Sequence, residues 1–149
     1  MMTNQWKSVG FVCMANFCRS PVAKMLFKNK YENLLKVDSA GLNPMVSAGM
    51  DLRSINYLKA NNIFCEIHSP KKIDKSFLDS SDIVFAMDTH VLMSLNTTFK
   101  HYRDKFKLFS YQHRNIHIKD PFRFSEEKYK DVMDQIKHVI DLFELEDFC

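Results

Sequence analysis

Cys13 and Arg19 stand six positions apart, with an apolar run at 9–12 before the cysteine and Ser20-Pro21 after the arginine. A thiol and a guanidinium at that spacing, between a strand and a helix, make an anion site that carries its own nucleophile. Ser20 reads as the cap of the helix and Pro21 as part of its first turn, where a missing N–H costs nothing. The backbone N–H groups of Met14, Ala15, Asn16, Phe17, Cys18 and Arg19 then converge on one point, backed by the positive end of the helix. A phosphate fits there, with Arg19 donating to two of its oxygens. The same field favours the Cys13 sulfur as thiolate, the form that attacks. The Ser20 hydroxyl is close enough in sequence to bond that sulfur and ease its later departure.

Moving a phosphoryl group onto sulfur also calls for an acid on the departing oxygen. Asp120, followed by Pro121 and Phe122, is the candidate. Proline after an aspartate holds it extended and out of the next helix. Phe122 would wall a pocket above the loop.

These residues need a scaffold, and the chain supplies alternating strand and helix patterns. Strands are expected at 7–12, 35–39, 82–87 and 106–109. Helices are expected at 20–31, 51–62, 88–95 and 125–143, with a short helical turn at 76–80. Strands separated by helices imply βαβ units, a parallel sheet and a three-layer sandwich. Ligands in such sheets bind beyond the carboxyl ends of the strands, where strand order reverses. Cys13 lies at such an end.

The 149 residues suit one domain, 1–149, and the 46% apolar and 26% charged composition is that of an ordinary globular protein. A net charge of +3 with scattered lysines gives no footprint for nucleic acid. No apolar stretch is long enough to span a membrane, and residues 1–7 carry no secretory pattern. A cytoplasmic chain with reduced cysteines is expected. Cys13 and Cys18 have C-x4-C spacing, unlike a zinc knuckle, so neither metal nor cofactor is expected. The three glycines, Gly10, Gly41 and Gly49, all lie outside the loop, which excludes a Walker or dinucleotide glycine motif.

Val12-Cys13-Met14-Ala15-Asn16-Phe17-Cys18-Arg19-Ser20-Pro21 with Asp120-Pro121-Phe122 resembles the low-molecular-weight protein tyrosine phosphatase family. Val37 to Gly41, Asp51-Leu52-Arg53, Asn62-Ile63 to His68 and Ala86-Met87-Asp88 agree, in the family's order. The resemblance covers essentially the whole chain. It implies an α/β, flavodoxin-like sandwich with a four-stranded parallel sheet. It also implies phosphotyrosine hydrolysis through a phosphocysteine on Cys13, with Asp120 as acid and then base and Arg19 holding the phosphoryl oxygens. Asn16 would shape the loop, with Ser39 and His68 in its supporting network.

The chain departs from the family pattern at three places. Ala15 stands where glycine is frequent. Leu42-Asn43-Pro44-Met45-Val46 replaces a more aromatic segment, and Arg123 replaces a second aromatic. Met45, Phe122 and Arg123 are therefore the expected substrate pocket, and the variant resembles bacterial members paired with tyrosine kinases of exopolysaccharide and capsule assembly. A phosphotyrosyl protein, such a kinase among the candidates, is the implied partner of a monomer or weak dimer. Two other readings use the same loop. A thiol-dependent arsenate reductase would need a cysteine relay, for which only Cys65 and Cys149 remain. A silent phosphotyrosine-binding module would bind without turnover. Cys18 either traps an oxidised Cys13 as a reversible disulfide or simply packs behind the loop.

Overall fold

A computed structural model describes residues 6–31, 35–46, 48–113 and 116–144. Residues 1–5, read above for a leader, and Cys149 lie outside them. Four strands form one sheet: β1 (Ser8–Cys13), β2 (Lys36–Gly41), β3 (Ile83–Ala86) and β4 (Phe106–Leu108). Their order is β2-β1-β3-β4, every pairing is parallel, and the direction of strand addition reverses between β1 and β3. The expected three-layer α/β sandwich is the observed one.

Helices α1 (Arg19–Tyr31), α2 (Leu52–Ala60) and α5 (Glu126–Leu142) share one face of the sheet. On the other face lie α3 (Lys75–Ser80), α4 (Thr89–Thr98) and a 3₁₀ helix, Lys100–Lys105. Alternation along β1 sends Val9, Phe11 and Cys13 to the first face and Val12 to the second. Helix α1 buries most of its length, from Arg19 through Phe27 apart from Lys24, and leaves 28–30 exposed, whereas α5 buries a single stripe, Tyr129, Val132, Met133, Ile136, Val139 and Ile140. Each fully buried side chain of that stripe contributes on the order of 1.5–3 kcal/mol. Phe11, Phe27, Phe85, Phe109 and Phe143 fill the space between sheet and helices in edge-on and stacked contacts.

Among the boundaries that differ from expectation, three have a clear physical reason or consequence. Strand β1 continues through Cys13, because its partner β2 continues to Gly41 and the Cys13–Gly41 register closes the ladder. Helix α4 runs to Thr98 and the 3₁₀ helix follows it; the unpatterned polar segment after Leu95 gave no signal for either. The third difference lies at the site: α1 begins at Arg19, so Ser20 is inside the first turn and does not cap it. Among the described residues no helix is long and apolar enough to cross a membrane.

Candidate active site

Residues 13–18 wrap from the end of β1 into α1, and every carbonyl in this loop is pulled outward. Leu42 N donates to Cys13 O (3.1 Å), Asn43 N to Met14 O (2.7 Å), Met45 N to Ala15 O (3.1 Å) and Asp51 N to Phe17 O (3.1 Å). His68 Nε2 donates to Asn16 O at 2.7 Å, and Ser54 Oγ to Cys18 O at 3.0 Å. A planar trans peptide points its N–H opposite its carbonyl, so six outward carbonyls turn the N–H groups of residues 14–19 inward. The concave nest of donors expected for a phosphate is the result.

A loop without glycine needs another way to turn. Asn16 takes it, with φ 50° in the left-handed region that asparagine tolerates better than most residues. Its fully buried side chain is saturated: Nδ2 donates to Ser20 Oγ (2.9 Å) and Ser39 Oγ (3.0 Å), and Oδ1 accepts from Lys71 N (3.0 Å). Ser20 Oγ, which accepts from Asn16, lies 2.9 Å from Cys13 Sγ, and its O–H is the donor to that sulfur whenever the sulfur is a thiolate. The structure thus brings together Cys13, Asn16, Ser20, Ser39 and His68. Gly41 lies beneath them; a Cβ there would come within 2.8 Å of Asn16 N and 2.9 Å of Met14 O.

Burial holds His68 below its ordinary value of 6.5, more than the Asn16 carbonyl raises it. The neutral ring carries its proton on Nε2, facing that carbonyl. Since the folded value is the lower one, the unfolded chain binds protons first, and stability is lost as pH falls from about 6.5 through the folded value. His68→Ala is expected to cost about 1–3 kcal/mol by orphaning the carbonyl. It should also flatten the decline in Tm between pH 7 and 5. An equally steep decline in the variant would contradict this assignment.

Arg19 is buried, and its Nη1 donates to Asp88 Oδ2 (2.6 Å) and Ile118 O (2.9 Å). Nε and Nη2 remain as a fork for two oxygens of an anion. Burial pulls the guanidinium down, but the facing charges of Cys13 and Asp88 outweigh it and keep the arginine fully charged. Asp88 also caps α4 by accepting from Val91 N at 2.8 Å. Sequence reading noted Asp88 only as a family mark; its place just after β3, at the reversal of strand order, was the available signal.

Cys13, Arg19 and Asp120 line one cleft of about 120 Å³, together with Ala15, Phe17, Cys18, Met45 and Phe122. Met45 and Phe122 form its exposed lip, and the Phe17 and Phe122 rings meet edge-on at 6.1 Å. Asp120 is exposed, with Oδ1 accepting from Phe122 N at 3.1 Å. Arg123 is exposed and lies outside the cleft lining, so the expected pocket holds two of its three members. Cys18 is buried against Asp51, its Sγ 3.7 Å from Oδ2, and burial pushes its thiol up to about 12. Cys13, Cys18 and Cys65 are free thiols.

Known proteins match this geometry. The family model for low molecular weight phosphotyrosine protein phosphatase matches residues 8–145. The chain is 31% identical over 118 residues to the low molecular weight protein-tyrosine-phosphatase Wzb of Escherichia coli K12, covering 79% of this chain and 80% of that one. The sulphate complex of Wzb from Escherichia coli K30 superposes with a TM-score of 0.85 at 23% identity, covering 92% and 95% of the two chains. The YwlE arginine phosphatase from Geobacillus stearothermophilus superposes at 0.83 with 27% identity, covering 90% and 88%. With a match across nearly the whole chain and a donor-lined thiol loop at its centre, the chain belongs to the low molecular weight phosphotyrosine protein phosphatase family.

Proposed function

We propose that the chain hydrolyses phosphotyrosine in proteins, and the observation that carries this reading is the ring of six outward carbonyls around Cys13. Cys13 Sγ attacks phosphorus, the P–O bond to the phenol breaks, and Asp120 gives its proton to the departing oxygen. The inward amides and the Arg19 fork hold the three equatorial oxygens throughout. Water then attacks the phosphocysteine, Asp120 takes a proton from it, and the S–P bond breaks. The Ser20 hydroxyl donates to the departing thiolate.

The cleft walls argue for an aryl substrate. Phe17, Phe122, Met45 and Ala15 offer apolar faces to a ring, and Asp120 is the one carboxylate among the lining residues. A phosphorylated guanidinium would need more acceptors than that. Phosphoserine would leave these faces unfilled. Outside the lip, Arg123 suits acidic residues flanking the phosphotyrosine, and a bacterial tyrosine kinase is a fitting protein substrate. The reduced thiols this chemistry requires suit a cytoplasmic setting.

Matched phosphotyrosyl, phosphoseryl and phosphoarginyl peptides test the reading. Phosphotyrosine should be turned over at least about 10²-fold faster than phosphoserine, the scale on which a site rejects a misfitting substrate. A higher kcat/KM for phosphoarginine would overturn the substrate assignment. Arg123→Ala should erase a severalfold preference for acidic flanks, roughly the effect of a rim charge on encounter. Equal turnover of acidic and neutral peptides by the wild type would remove Arg123 from the account.

A further inference from the structure

Asp120 is exposed on a segment without regular structure, yet an acid must sit within hydrogen-bond reach of the leaving oxygen. The structure ties this segment down on both sides of the acid. On one side Arg19 Nη1 holds Ile118 O. On the other, Arg53 Nη2 donates to Phe122 O (2.9 Å) and Nη1 to Phe124 O (3.0 Å). Phe122 is also the residue whose N–H bonds the Asp120 carboxylate. One peptide residue therefore separates the Arg53 guanidinium from the carboxylate.

The other end of the tie is the phosphate loop. Asp51 grips Arg53 through Oδ1 to Nε (3.1 Å) and Oδ2 to Nη2 (2.8 Å), and its own N–H holds Phe17 O. The guanidinium plane lies 4.0 Å over the Tyr129 ring, which fixes its direction. We propose that Arg53 is a positioning residue that couples the nucleophile loop to the acid loop and holds Asp120 and Phe122 over Cys13. This rests on Asp120 being the general acid.

Leaving groups separate this role from simple support of the fold. A phenol needs the acid; a dinitrophenolate leaves without it. Arg53→Met is expected to lower kcat/KM for phenyl phosphate by about 10- to 100-fold, the cost of a misplaced catalytic group. The kcat/KM for dinitrophenyl phosphate, which reports only the first step, and inhibition by inorganic phosphate should stay within about threefold of wild type, since neither uses the acid. With Asp120→Ala already present, Arg53→Met should cost no more than about twofold on phenyl phosphate, as expected of residues acting through one group.

Equal losses on both esters, loss of phosphate inhibition, no loss on phenyl phosphate, or a full further loss beside Asp120→Ala would each overturn the proposal. If Arg53→Met does not fold, Arg53→Lys carries the same test, because one ammonium cannot hold Asp51 and both carbonyls. The acid assignment fails separately. It falls if Asp120→Ala spares phenyl phosphate, whereas a sparing Arg53→Met beside a damaging Asp120→Ala removes only the tie.

Discussion

Cys13→Ser is expected to lower turnover of phosphotyrosyl peptides by at least about 10⁴-fold, as loss of an enzymic nucleophile does, while inorganic phosphate still inhibits. The two halves of the result have different sources. In the proposed mechanism phosphate is held by the inward amides of residues 14–19 and the Arg19 fork, and none of these donors belongs to the Cys13 side chain. Attack needs an ionised atom at the end of β1, and a hydroxyl there stays protonated where a thiol ionises. Any phosphoryl group that did reach the hydroxyl oxygen would stop the cycle. Water would then have to expel an alkoxide, a far worse leaving group than a thiolate. Steady-state phosphate release, measured beside the inhibition constant for phosphate, checks both halves. Turnover within tenfold of wild type would overturn the phosphocysteine route.

Asp120→Ala is expected to slow phosphotyrosine turnover by about 10²–10⁴-fold, the usual worth of a positioned acid or base. That corresponds to about 3–5 kcal/mol of barrier. In kcat/KM, which reports only the first step, the loss should grow with the basicity of the leaving phenol and shrink for dinitrophenyl phosphate, because only a poor leaving group needs the proton. Hydrolysis of the phosphocysteine should slow as well, since the same carboxylate activates water. A burst of phenol followed by slow phosphate release would display that second effect. A uniform loss in kcat/KM across leaving groups would assign Asp120 to binding instead of proton transfer.

Legibility from sequence followed the range of the interactions. Cys13, Arg19 and the amides between them are neighbours along the chain, so their convergence depends on one strand-to-helix turn. Strand and helix periodicity placed that turn correctly, and the β2-β1-β3-β4 order set it at the reversal point where ligands bind. The expected cap at Ser20 failed for a local reason. Its hydroxyl is committed to Cys13 Sγ and Asn16 Nδ2 within a helix that begins at Arg19. Arg123, expected beside the pocket, lies outside the cleft lining because the turn at 122–124 exposes it.

The residue types along one stretch were enough to determine a thiol, a guanidinium and a ring of amides meeting at the end of β1. Only the tertiary structure decided what orients them. The carbonyls of residues 13–18 face outward because groups from residues 42–45, 51–54 and 68 donate to them there, and all of those donors come from the long connection between β2 and β3. Asp88 on Arg19, Gly41 beneath Asn16, and Arg53 between the two loops are likewise contacts across sequence gaps that no periodicity encodes. A hydrogen bond between residues 69 positions apart leaves no mark on either neighbourhood. It exists because the sheet and its helices bring the two atoms within 3 Å of each other.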